Sequence, residues 1–133
     1  MAWSSFRAAL GALSTGGIEF IVVGRLAAEL RRGHSGPIAI EVVVQWGEDN
    51  LARLLAVLES MDASYRLDPE KRIRPNASRF RSHERHNLLT LCGPLDILAA
   101  TSQGARYEDL LPQVVEMEIG GDVRIRVLEH PTP

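Results

Sequence analysis

Two apolar segments separated by a glycine and a short polar stretch set the strongest limit on how this chain folds. Ile18-Glu19-Phe20-Ile21-Val22-Val23 runs into Gly24, and Ile38-Ala39-Ile40-Glu41-Val42-Val43-Val44 follows after Pro37. The first reads as a strand buried on both faces. The second alternates, with Ile38, Ile40, Val42 and Val44 on one face and Ala39, Glu41 and Val43 on the other. Gly24 supplies a turn, and Leu26 to Arg32 reads as a short helix closed by Gly33. A strand, a tight turn, a short helix and a second strand imply that the two strands lie side by side.

The flanking sequence fills out the same sheet. Trp3, Phe6, Leu10 and Leu13 fall at helical spacing, and Thr15-Gly16-Gly17 ends that helix. Leu51, Leu54, Leu55 and Leu58 form a stripe on a later helix, for which Asp49 or Asn50 is the expected cap. Asp62 to Pro75 carries turn chemistry around Asp68-Pro69 and reads as a loop. Ser78 to Arg81, Asn87 to Leu91 and Leu95 to Ala99 read as strands, with Gly93-Pro94 between the last two. Val114 to Ile119, Gly120-Gly121 and Val123 to Leu128 make the clearest hairpin. The expected fold is α+β, a mixed β-sheet with helices mainly on one face, formed by residues 1–133 as a single domain.

Composition narrows the function classes. With 133 residues, 45% hydrophobic and 24% charged, the chain can bury a core and is not a disordered tail. Arg25 and Glu41 interrupt the longest apolar runs, so no segment approaches the roughly 20 residues a bilayer needs. Without a cationic start and apolar signal core, the expected location is cytoplasmic, with no membrane partner. The net charge of −2 argues against wholesale nucleic-acid binding. One basic cluster does occur, with Lys71, Arg72, Arg74, Arg79, Arg81 and Arg85 opposed only by Glu84. Cys92 is the single cysteine and reads as a buried free thiol. His34, His83, His86 and His130 form no metal-ligand pattern and are expected at the surface; His83 and His86 would point to opposite faces of a strand. No serine sits in a nucleophile-elbow context, and the glycines spell neither a phosphate loop nor a dinucleotide fingerprint.

The order of Phe20 to Gly24, Ala39-Ile40-Glu41, the Asn50 to Ser60 helix and Leu88 to Leu98 resembles the minimal nucleotidyltransferase-like proteins of the DNA polymerase beta superfamily. Tyr107-Glu108-Asp109-Leu110 and Val123 to Leu128 resemble that family's downstream loop and closing strands, whereas an extended C-terminal helical part is lacking. The resemblance implies a glycine turn that approaches a triphosphate, two acids one residue apart on the second strand, and a third acid on a later strand. In this sequence Gly24 matches the turn and Arg25 stands at its second small residue. Ser35 and Pro37 stand at the lead-in Arg and Thr, Ala39 at the first acid, Glu41 at the second and Asp96 at the third. Two-metal transfer holds divalent ions about 3.5 to 4 Å apart. Losing one acid leaves Glu41 and Asp96 as the remaining metal positions, and Gly24 and Arg25 as the nucleotide-binding ones.

The expected function is therefore a degenerate nucleotidyltransferase-fold domain without metal-dependent transfer. It would need no cofactor and would act as a binding or assembly module for a protein partner or a second copy of the chain. One alternative is an active, magnesium-dependent enzyme that moves a nucleotide from NTP to a protein, RNA or small molecule, with Glu19 or Glu29 as an additional acid. Another is a nucleic-acid-binding domain using the basic segment 71–85. Arg25 is further expected to ion-pair with Glu41, Asp96 or both, since two facing carboxylates repel unless compensated.

Overall fold

The computed structural model describes residues 2–24, 27, 39–121 and 123–129. Helix α1 spans Ala2–Thr15 and delivers the chain to β1, Phe20–Val23. Strand β2 is Ile40–Val44, α2 is Glu48–Ser60 and β3 is the two-residue strand Ser64–Tyr65. A 3-10 turn at Pro69–Lys71 precedes α3, Ala77–Ser82. Strands β4, Arg85–Thr90, and β5, Gly93–Leu98, form a hairpin, and α4 is Tyr107–Leu110. Strands β6, Val114–Glu118, and β7, Arg124–Leu128, close the sheet.

Among the described residues seven strands form one sheet, in the order β3-β4-β5-β2-β1-β7-β6. β1 lies beside β2, as the two apolar segments imply, and the pairing is antiparallel, with Val23 beside Glu41. β2 runs parallel to β5 and β1 parallel to β7, so the sheet is mixed and the fold is α+β.

Period-two alternation divides this sheet into two different surfaces. One carries Phe20, Val22, Ile40, Val42, Val44, Leu88, Leu95, Ile97, Ile125 and Val127, all buried beneath Phe6, Leu10 and Leu13 of α1, Leu54 and Leu58 of α2, and Phe80 of α3. Trp3 lies on α1, but its side chain is outside the described residues. The other surface has a smaller core, with Ile21, Val23, Val43, Leu98 and Leu128 packed against Tyr107 and Leu110.

Several sequence readings change. Ser78 to Arg81 is helical rather than extended, because Asn76 accepts a hydrogen bond from the Arg79 backbone at 2.9 Å and caps a turn that buries Phe80. Asp62 to Pro75 is not wholly loop, since it contains β3, which pairs with β4. Tyr107 to Leu110 is a short helix rather than a loop. Gly47, not Asp49 or Asn50, takes the N-cap position of α2. Asn50 is instead buried inside the helix, where it accepts from Glu19 N at 2.8 Å and donates to Glu19 O at 3.1 Å and Gln45 O at 2.8 Å. It thereby ties the entrance of β1 to the exit of β2. The Leu26 to Arg32 helix lies almost wholly outside the described residues, although Ala27 within it is helical and buried.

His86 also departs from expectation. It is 1% exposed because β4 begins at Arg85 and alternation turns His86 inward with Leu88 and Thr90. Its Nδ1 accepts from Tyr65 OH at 2.7 Å, and Nε2–H donates to His83 O at 2.9 Å. This satisfies both ring nitrogens in the neutral form. Phe80 meets the ring edge-on at 4.3 Å. Burial, with lesser contributions from His83 and Arg79, lowers the His86 pKa below 6.5. His83 is exposed, as expected. Cys92 is free and only half-buried, and burial still pushes its thiol pKa up.

Candidate functional site: a carboxylate pair held by arginines

The second surface of the sheet bears a polar row. Glu41 of β2 lies directly beside Asp96 of β5, and Asn87 of β4 is the next residue across. Arg66 extends the row, its backbone N–H donating to Asn87 O at 3.0 Å. Gly24 borders the other end, just beyond Val23, the register partner of Glu41. Three positions far apart in sequence, Gly24, Glu41 and Asp96, are therefore neighbours on one surface.

Gly24 has φ +70°, a conformation that costs any residue bearing a Cβ. A Cβ there would also overlap the Glu41 carboxylate. The glycine thus serves both as a left-handed turn and as clearance for an acid. Ala39 sits half-buried immediately before β2, two residues from Glu41, and contributes no oxygen ligand. Arg25, Ser35 and Pro37 lie outside the described residues, as does Glu29. Glu19 is at the opposite end of β1 from Gly24, separated from Val23 by about 13 Å of strand.

Arginines supplied by other elements hold the acids. Asp96 is 3% exposed. Its Oδ1 accepts from Arg66 Nη2 at 2.6 Å, while Arg85 Nη2 stands 3.6 Å from Oδ2. The same Arg85 nitrogen is 3.9 Å from Glu41 Oε2, so Arg85 straddles the pair. Arg85 Nε donates to Asn87 Oδ1 at 3.2 Å, and Arg66 Nη1 donates to Leu88 O at 2.6 Å. The planar, multi-donor guanidinium suits such bridging between a carboxylate and a carbonyl.

The donor set does not fit a pair of divalent ions. Magnesium requires near-octahedral oxygen ligands at about 2.0 to 2.1 Å. Here one oxygen of the buried carboxylate is engaged by a guanidinium, and Ala39, two residues before Glu41, carries no side-chain oxygen. No group of three His, Cys, Asp or Glu side chains arranged to hold a metal occurs among the described residues.

Beside Arg85 an open groove of about 640 Å³ is lined by Ser82, His83, Leu98, Ala100, Thr101 and Ser102. The basic segment 71–85 is largely engaged with other groups. Arg72 and Arg74 both pair with Asp62, at 3.0 and 2.5 Å, and lower its pKa, Arg74 contributing more. Lys71 pairs with Asp68 at 3.3 Å, and Arg79 lies 5.4 Å from the Tyr65 ring centre.

Arg66 was the residue hardest to foresee, because it lies in a segment without periodicity. The available signal was indirect, since a buried acid requires a partner. No helix among the described residues is long and apolar enough to cross a membrane. Neither a protein-family model nor any curated protein matches the sequence.

Proposed function

We propose that this chain is a nucleotidyltransferase-type domain without metal-dependent transfer, serving as a binding or assembly module. The observation that carries this reading is the placement of Gly24, Glu41 and Asp96 on one surface, combined with arginine contacts to both acids. The first part supports the resemblance in the positions it names. The second supports loss of catalysis, because two-metal transfer needs carboxylate oxygens free to bind ions and to activate an attacking oxygen.

Incubating the full chain with each nucleoside triphosphate, magnesium and a pool of protein and RNA acceptors tests the catalytic part. The expected result is no transfer above background. Robust transfer abolished by Glu41→Ala would establish the enzymatic alternative instead. Size measurement across a concentration series tests self-assembly directly. The nucleic-acid alternative gains little from the arrangement of segment 71–85, since Arg72, Arg74 and Arg85 already face carboxylates.

A further inference from the structure

Arg66 occupies a distinctive place in the chain. It follows β3 immediately and begins the excursion from Leu67 to Ile73. Tyr65 N donates to Ile73 O at 2.8 Å, closing that excursion at its neck. The paired contacts of Arg72 and Arg74 with Asp62, and Arg74 Nη1 donating to Ala63 O at 3.2 Å, fasten its returning limb. On the outgoing limb the Arg66 guanidinium crosses β4 and binds Leu88 O and Asp96 together. Leu67, the next residue, is 87% exposed.

We infer that Arg66 and Arg85 together are the resident cations of the Glu41–Asp96 pair: Arg66 on Asp96 and Arg85 across both acids supply, as side chains, the positive charge that a metal ion provides between paired strand carboxylates, and by its contact with Asp96 Arg66 also fastens the 67–73 loop to the sheet. This inference rests on the geometry and does not depend on the family reading. A buried carboxylate must be paired to remain charged, and Asp96 has its shortest contact with Arg66. The guanidinium delivers a fixed charge without the dehydration that magnesium resists, and its second nitrogen is satisfied by a backbone carbonyl. Arg85 adds charge from the solvent side at longer range, with its side chain 55% exposed. The pair is thus compensated within the chain, and a divalent ion bridging the two acids would have to displace these guanidiniums.

Manganese(II), a paramagnetic probe, tests this on the full chain by amide NMR. The intact protein is expected to show no broadening localised at Glu41 and Asp96 at millimolar manganese. In the doubly truncated variant Arg66→Ala with Arg85→Ala, localised broadening is expected, and adding Asp96→Asn should remove it. Localised broadening in the intact protein would overturn the inference without recourse to any variant. A folded double variant that gains no manganese response would overturn it equally. Should that variant fail to fold, Arg66→Lys keeps a charge but cannot serve Leu88 O and Asp96 together with the same planar fork. Its Tyr65 and Arg66 amides are expected to exchange with solvent at least tenfold faster than in the intact protein. Unchanged exchange there would overturn the fastening of the loop.

Discussion

The two surfaces of the sheet are built from alternate residues of the same strands, yet they behave differently. Under α1, α2 and α3 the contacts are apolar, and Val42, Leu88, Leu95 and Ile97 are all fully buried. On the reverse, between Gly24 and Arg66, the strands carry Glu41, Asp96 and Asn87, and each depends on a few directed polar contacts. The apolar surface derives stability from area, which tolerates many arrangements of similar volume. The polar surface derives its order from specific partners. Changes to the first should therefore cost more, and changes to the second should reveal more.

The largest expected loss is on the helix-covered side. Leu88→Ala should destabilise the protein by about 2–5 kcal/mol in chemical denaturation, because the site lies deep within a packed cluster. Asp96→Ala should cost about 1–3 kcal/mol by leaving the Arg66 guanidinium without its carboxylate. A loss as large as that of Leu88→Ala would mean that the polar surface contributes to stability on equal terms. Gly24→Ala should cost roughly 1–2 kcal/mol through its left-handed backbone. Pairing it with Glu41→Ala should recover whatever part of the loss comes from crowding, so the two changes should not be additive.

His86 sharpens the contrast through pH. It is a polar group on the apolar side, and its proton binds more weakly in the folded protein than in the unfolded chain. Its contribution should be fully present above pH 6.5 and decline as pH falls below that value, while the unfolded chain takes up the proton first. Denaturation between pH 8 and pH 5 should show this decline in the parent and lose it in His86→Gln. An identical decline in both would assign it elsewhere. The smallest effect is expected at the exposed Asp62 clamp, where Arg74→Ala should change stability only slightly, and less still with added salt.

Legibility from sequence followed the same division. The strand pair β1 and β2, the stripes of α1 and α2, and the β6–β7 hairpin carry local periodicities, and each occupies nearly the expected residues. Helix α3 was misread because its six residues bury only Phe80, too little for a period to emerge. Asn50 and His86 carried polar identities suggesting a cap and a surface group, whereas neighbouring backbone and side-chain groups satisfy them in the interior. At the site, Gly24, Glu41 and Asp96 could be picked out because strand and turn context marks them. Arg66 could not, since its pairing with Asp96 spans 30 residues and has no local pattern. Arg25, the cation expected in that role, lies outside the described residues.

Strand order also bears on biosynthesis. β1 has β2 on one side and β7 on the other, and β7 comes last in sequence among the described strands. An emerging polypeptide can pair β1 with β2 early, but the opposite edge of β1 stays open until Arg124–Leu128 has been made. The apolar Phe20–Val23 segment is meanwhile exposed to mispairing with other chains. Closure depends on contacts distant in sequence, which places the sheet among the slower-folding topologies.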